Sequence, residues 1–207
     1  MKQAPEMKQA PMAVRPVVLG GRTVKLEPLS MGHLGELTEA ARYAEVWTYL
    51  DEETPAGEQS VKALIREALD QQAKGERLAF AMMEQASGRA VGSISYIDIQ
   101  PAHRGVEIGL AWITPNRWRT GISREAGYLL LRHAFETMSA IRVGFKTDSS
   151  NQRALEAIEG LHATYEGALR NHRILRDGSI RHSLFYSVIR EDWPQVSAKL
   201  SGELGSY

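Results

Sequence analysis

The most constraining stretch is a strand that runs through a glycine-bearing loop straight into a helix. Gly105–Ile113 alternates apolar and small or polar residues, Thr114–Gly121 follows as a polar loop, and Ile122 to Met138 has helical spacing with Ala126, Leu129, Leu130 and His133 on one stripe. The next apolar run, Ile141–Thr147, is again strand-like. A strand, a helix and a second strand joined in this way can share a sheet only as a parallel pair with a crossover. The flanking segments read differently. Leu78–Glu84 and Ala90–Ile99 are joined by Ala86-Ser87-Gly88-Arg89, and Tyr165–Leu175 and Ile180–Ile189 by Arg176-Asp177-Gly178-Ser179, both hairpin signals.

The remaining elements are a first strand within Val17–Glu27, a helix capped by Ser30, and a helix after Ser60 with Val61, Leu64, Ile65, Ala68 and Leu69 on one stripe. A short helix spans Asn151–Leu161, and a terminal helix opens at Trp193-Pro194. The order β-α-α-β-β-β-α-β-α-β-β predicts an α/β (α+β) fold with a mixed sheet and helices on its faces.

At 207 residues, one domain is expected over 17–200, with a disordered leader at 1–16 and a tail at 201–207. The leader repeats MKQAP and has no apolar core of the kind a signal peptide needs. No apolar run reaches the roughly 20 residues that span a bilayer. Formal net charge is zero, so no global field draws the chain to nucleic acid or to a membrane. With no cysteine there is no disulfide framework, thiolate metal site or cysteine nucleophile, which fits the cytoplasm. The histidines match no metal-ligand spacing, so no metal is expected.

Within the strand, Val106, Ile108, Leu110 and Trp112 are expected on one face, packed on helices. Glu107, Gly109, Ala111 and Ile113 are expected on the other, where small side chains admit a ligand. A glycine turn at a helix N-terminus presents unpaired N–H groups and the positive end of the helix dipole, which suits phosphate. Arg119 and Arg124 would add charge. Asp148 is expected to cap the helix containing Asn151, and His133 to be a core histidine. Arg170, Arg173, Arg176 and Arg181 read as a solvated basic edge.

Trp118-Arg119-Thr120-Gly121-Ile122-Ser123-Arg124-Glu125-Ala126 resembles the coenzyme A-binding motif of GNAT acetyltransferases, nearest the branch of ribosomal-protein N-terminal acetyltransferases. Gly21–Leu29, Leu129–Glu136, Phe145–Asn151 and the Glu166–His172 hairpin segment agree, so the resemblance covers about Val17 to Leu200. It implies a mostly antiparallel central sheet with a parallel splay that admits acetyl-coenzyme A or another short acyl-coenzyme A. The pantetheine arm would pair with the backbone of Trp112, Ile113 and Thr114 and touch Asn151. The pyrophosphate would rest on the N–H groups of Arg119, Thr120, Gly121, Ile122, Ser123 and Arg124. A backbone N–H near Ile113 would stabilise the oxyanion.

Glu107 is the candidate general base, and Arg170 and His172 are the candidate acceptor contacts. The acceptor is a primary amine, on a protein N-terminus or on a small molecule, and a non-catalytic acyl-coenzyme A-binding module is the alternative of another class. A homodimer is left open. Four positions depart from the family pattern: Trp118 and Ser123 in the loop, His162 where a glycine commonly ends the fourth helix, and Ile158 where some relatives carry a tyrosine general acid.

Overall fold

Residues of β-type spacing supply two apolar faces, and the fold covers both. The computed structural model describes residues 12–50, 52–175 and 177–205. Its strands are β1 (Leu19–Gly20), β2 (Val24–Pro28), β3 (Leu78–Glu84), β4 (Arg89–Gln100), β5 (Gly105–Ile113), β6 (Arg142–Asp148), β7 (Thr164–Ile174) and β8 (Ile180–Ile189). Its helices are α1 (Leu34–Ala41), α2 (Glu58–Ala73), α3 (Ile122–Arg132), α4 (Gln152–Glu159) and α5 (Trp193–Leu204). The strands form one sheet in the order β1-β2-β3-β4-β5-β6-β8-β7, antiparallel except for β5–β6. The β5-α3-β6 crossover makes that one parallel pair, as the sequence pattern requires.

The period of two is visible in β3. Leu78, Phe80 and Met82 join a core with Leu129, Leu130 and Leu200 from α3 and α5, while Ala79 and Ala81 face Leu37, Val61 and Ile65 from α1 and α2. The alanines let the second helical layer approach closely.

Glu125 of α3 binds the turn between β1 and β2 to this core. It is 1% exposed and accepts the N–H groups of Arg22 (2.6 Å), Thr23 (2.7 Å) and Val24 (3.0 Å). Gly21 is required beside it, because a Cβ there would stand 2.7 Å from the Glu125 carboxyl carbon.

Several expectations are corrected. The expected first strand is a small hairpin, β1 and β2. The helix placed after Ser60 begins at Glu58, and the terminal helix continues to Leu204, beyond 200. The long central helix is α-helical to Arg132 and then widens to a π-turn over His133–Thr137. Of the leader expected over 1–16, residues 1–11 lie outside the described residues, and Met12 is buried in the core at 4% exposure. Residues 206 and 207 of the tail and Arg176 of the basic edge also lie outside them.

The larger correction is in β5. Ser93 pairs with Trp112 and Ser95 with Gly109, so two steps of β4 face three of β5. The extra residue is a β-bulge with Leu110 at φ 47°. It reverses the alternation. Val106, Ile108 and Ile113 lie in the α3-side core, whereas Trp112 packs on the α1–α2 side, 5.3 Å from the ring of Trp47.

Candidate active site

The parallel pairing of β5 and β6 stops early. Its register runs from Gly105–Arg142 to Glu107–Gly144, and beyond it the two strands separate. On the other side of β5, the bulge leaves Leu110 and Ala111 without Cα partners in β4. A cleft of about 1100 Å³ opens in the gap. Both strands of the splay contribute to its walls, with Glu107 to Ile113 on one side and Phe145, Lys146 and Thr147 on the other.

One end of the cleft is the start of α3. Gly121, the N-cap residue, has φ 86°, a left-handed conformation that glycine adopts without strain, and no atom lies within 4 Å of where a Cβ would stand. Glu125 N–H bonds to Gly121 O at 2.9 Å, the first bond of the α-helical ladder. The N–H groups of Ile122, Ser123 and Arg124 therefore have no carbonyl partner inside the helix. Open space, free donors and a helix dipole fit a pyrophosphate at this point.

The arginines beside it are not equivalent. Arg117 forms a two-bonded pair with Glu84 (2.5 and 3.0 Å), which holds the Glu84 carboxyl below its ordinary range. Arg124 donates to Gly160 O at 2.9 Å and pairs with Glu203 of α5. Arg119, exposed and at φ 61°, is the arginine of this loop whose charge no described carboxylate takes up. Of the two expected to add charge, Arg124 lines the cleft while bonded to the end of α4 and to α5.

Glu203 has a second role. It also meets His162 Nε2 at 3.2 Å, and His162 stands at φ 57°. A histidine thus occupies the left-handed position where the family pattern has glycine, and its ring is held by a carboxylate from α5.

Trp118 donates Nε1–H to Ile113 O at 3.0 Å and carries the Arg153 guanidinium 3.7 Å from its ring centre. Arg153 reaches on to the carbonyl of Glu45, 3.3 Å away. This chain of contacts links α4 to the segment after α1, which brings Val46, Tyr49 and Leu50 into the cleft wall. Those three residues were missed in the sequence reading, since they lie outside any motif.

On the sheet face opposite α3, Glu107 is 9% exposed and lines the cleft. Its two carboxylate oxygens each lie 3.1 Å from Lys146 Nζ on β6. Lys146 is a second residue the sequence reading did not single out; Glu107 and Lys146 meet only because β5 and β6 are neighbours.

The cleft brings together Glu107, Trp112, Ile113, Arg119, Gly121, Ser123, Arg124 and Asn151. It does not bring in Thr114, Thr120 or Ile122. Thr114 is buried, its N–H bonded to Val91 O at 2.9 Å, Thr120 Oγ1 turns back to Arg117 O at 2.8 Å, and the Ile122 side chain is in the core. Asn151, not Asp148, caps α4: Asn151 Oδ1 accepts Ala154 N–H at 3.1 Å, while Asp148 Oδ1 accepts Ser150 N–H at 2.8 Å. Ile158 lines the cleft, and Tyr49 is the one phenol among its described lining residues.

Arg170 and His172 of β7 are outside the cleft wall; Arg173 and Arg181 are in it. His172 Nδ1 lies 2.8 Å from Ser183 Oγ, and burial, then Arg173, Arg181 and Lys146, hold its imidazole below the ordinary value. His133 is the expected core histidine, beside the Tyr96 hydroxyl at 3.3 Å.

Among the described residues, no group of three histidine or carboxylate side chains is placed to hold a metal, and no helix is long and apolar enough to cross a membrane.

The family model described as an acetyltransferase (GNAT) domain matches residues 23–164. A structure described as an acetyltransferase from T. thermophilus shares 36% identity, with a TM-score of 0.83 over 94% of this chain and 100% of that one. A GCN5-related N-acetyltransferase from Brucella melitensis shares 26%, with a TM-score of 0.88 over 96% and 90%. Mycobacterium smegmatis RimJ in complex with CoA-disulfide has the same fold at 20% identity, with a TM-score of 0.78 over 91% and 94%. No curated protein matches the chain.

Proposed function

Because the chain belongs to the GNAT acetyltransferase family, we propose that it transfers an acetyl or other short acyl group from acyl-coenzyme A to a primary amine, with both substrates bound together. The observation that carries this is the splay: one cleft connects the free N–H groups at the start of α3 to the Glu107 carboxylate on the opposite face of the sheet.

The pyrophosphate of the co-substrate would take the N–H groups of Ile122, Ser123 and Arg124, with Arg119 alongside. Its pantetheine arm would run along β5, where the backbone edge beyond Glu107 has no β6 partner. The Thr114 N–H is already bonded to Val91, so the pairing falls on the bulge side of Ile113. The amine nitrogen adds to the thioester carbonyl carbon, forming the C–N bond and a tetrahedral oxyanion, whose collapse breaks the C–S bond. The surplus amine proton passes to Glu107, directly or through a water molecule. The departing thiolate takes up a proton and leaves as coenzyme A. A backbone N–H of β5 near Ile113, where the bulge breaks the pairing with β4, would stabilise the oxyanion. Positioning accounts for most of such a reaction, and Ser123 has no role as a nucleophile.

An acceptor on a protein N-terminus is favoured by the open edge of the sheet, from which Arg173 of β7 reaches the cleft wall. β7 is exposed along nearly its whole length, so an extended chain has room there. The test is free-thiol release from acetyl-coenzyme A with a panel of peptides and small amines, alongside calorimetry with coenzyme A. We expect micromolar binding and amine-dependent thiol release. Binding without thiol release for any amine would replace this reading with a non-catalytic acyl-coenzyme A-binding module. Release with small amines but no peptide would move the acceptor to the small-molecule class.

A further inference from the structure

The acceptor side of the cleft has a buried cation that no protein carboxylate among the described residues neutralises. Arg181 of β8 is 9% exposed and lines the cleft. Its Nε donates to Ser183 Oγ at 3.1 Å, and no carboxylate among the described residues pairs with its guanidinium. The fork carries five N–H donors, so the four on its terminal nitrogens are available to a ligand.

The hairpin tip makes the inward placement unusual. Its isoleucines, Ile174 and Ile180, stand in solvent at 80% and 55% exposure, while the arginine between them and the sheet is turned inside. A charge that served only to keep a strand edge soluble would be arranged the other way. Arg181 shares a sheet face with Ser183, Lys146 and Glu107, the face opposite α3, so it is placed away from the phosphate end of the cleft. Lys146 and Arg173 line the same space. Glu107 faces them already bound to Lys146. The Arg181 charge disfavours polycationic amines and attracts an amine that brings its own negative group.

We propose that the acceptor carries a carboxylate a few bonds from its reactive amine, and that Arg181 binds that carboxylate through its planar fork while the amine is directed toward Glu107. The proposal rests on the acyl-transfer reading above. The carboxylate has two sources: the α-carboxylate of a free amino acid, or an acidic side chain at the second or third position of a peptide.

The experiment compares acceptors matched except for charge. These are an amidated Ser-Asp-Ala-Ala peptide against Ser-Asn-Ala-Ala, free aspartate against aspartate diamide, and spermidine as a polycation. Each is assayed by thiol release with wild type, Arg181→Gln and Arg181→Lys. Removing a hydrogen-bonded charge partner gives a large and specific loss, so at least one acidic acceptor should exceed its neutral match by about tenfold or more in kcat/KM, mainly through KM. Arg181→Gln should bring that ratio to within about twofold, with Arg181→Lys between, because lysine keeps the charge without the fork. The arm that shows the preference identifies the source. Equal rates for both matched pairs, a preference for spermidine, or a preference that Arg181→Gln leaves intact would overturn the proposal while leaving acyl transfer standing. Bound acetyl-coenzyme A with no turnover on any acceptor would overturn acyl transfer and this proposal together. Melting curves and coenzyme A affinity establish that the variants fold. Should Arg181→Gln not fold, the wild-type ratio decides alone.

Discussion

Single residues in this cleft divide by what already binds them. Glu107 is a carboxylate that Lys146 holds in place on the floor of the splay, next to the unpaired length of β5. If it accepts the amine proton, Glu107→Gln keeps the shape and removes the acceptor. General-base catalysis contributes about 10²–10⁴-fold, so kcat should fall at least about tenfold while coenzyme A affinity stays near wild type. Raising pH should restore part of the rate as more of the amine is already deprotonated. A variant with full kcat across the pH range would show that deprotonation does not pass through Glu107. Glu107 was singled out in the sequence because its position matches the pattern of the family that the chain resembles. Its partner was not, since Lys146 is 39 positions away and meets it only through strand order. The same limit governed the arginines: Arg124 is taken by Glu203, 79 positions away, and no local pattern carries that information.

Secondary-structure elements were legible where a period or a turn repeats locally. β5 and β8 have the expected ends, because alternation and hairpin chemistry are short-range. The bulge in β5 was not legible. Its extra residue falls at Leu110–Ala111, where nothing in composition marks a left-handed leucine, and one inserted residue was enough to move Trp112 to the other face. At the start of α3 the glycine signal was informative and is testable. Gly121 has both a left-handed backbone and free space before it, so two substitutions separate the effects. Asparagine tolerates the left-handed region better than most residues, and aspartate adds charge of the wrong sign to a phosphate site. Gly121→Asn should weaken coenzyme A binding by only about threefold, and Gly121→Asp by about tenfold or more. Calorimetry returning equal affinities for the two would mean that no phosphate is bound there.

At the scale of the whole molecule, the packing of α3 on the sheet involves a buried histidine as well as apolar side chains. His133 sits at the end of α3, and burial lowers its pKa from the ordinary 6.5. His172, on the hairpin, is shifted in the same direction by burial and by Arg173, Arg181 and Lys146. A lowered folded-state value means that the unfolded chain binds the proton more tightly. The stability is therefore fully present above about pH 6.5 and is lost as pH falls through the folded-state values. A second decline belongs to Glu27, Glu84 and Glu166, whose cationic partners hold them below 4.5, so their contribution is present above 4.5 and is lost on further acidification. The two windows can be separated by substitution. A group that stays neutral in the folded state changes stability by at most about 1.4 kcal/mol per pH unit, and 1 kcal/mol moves the midpoint of a protein this size by about 2–4 °C. Between pH 6.5 and 5 the melting temperature of the wild type should fall, and that of His133→Gln should fall less steeply, with the difference bounded by about 3–5 °C per pH unit. Below pH 4.5 the two should decline in parallel, because the carboxylate pairs are common to both. Melting curves offset by a constant amount from pH 8 to 5 would show that His133 takes up no proton on unfolding, and the acid sensitivity would then rest on His172 and the carboxylates.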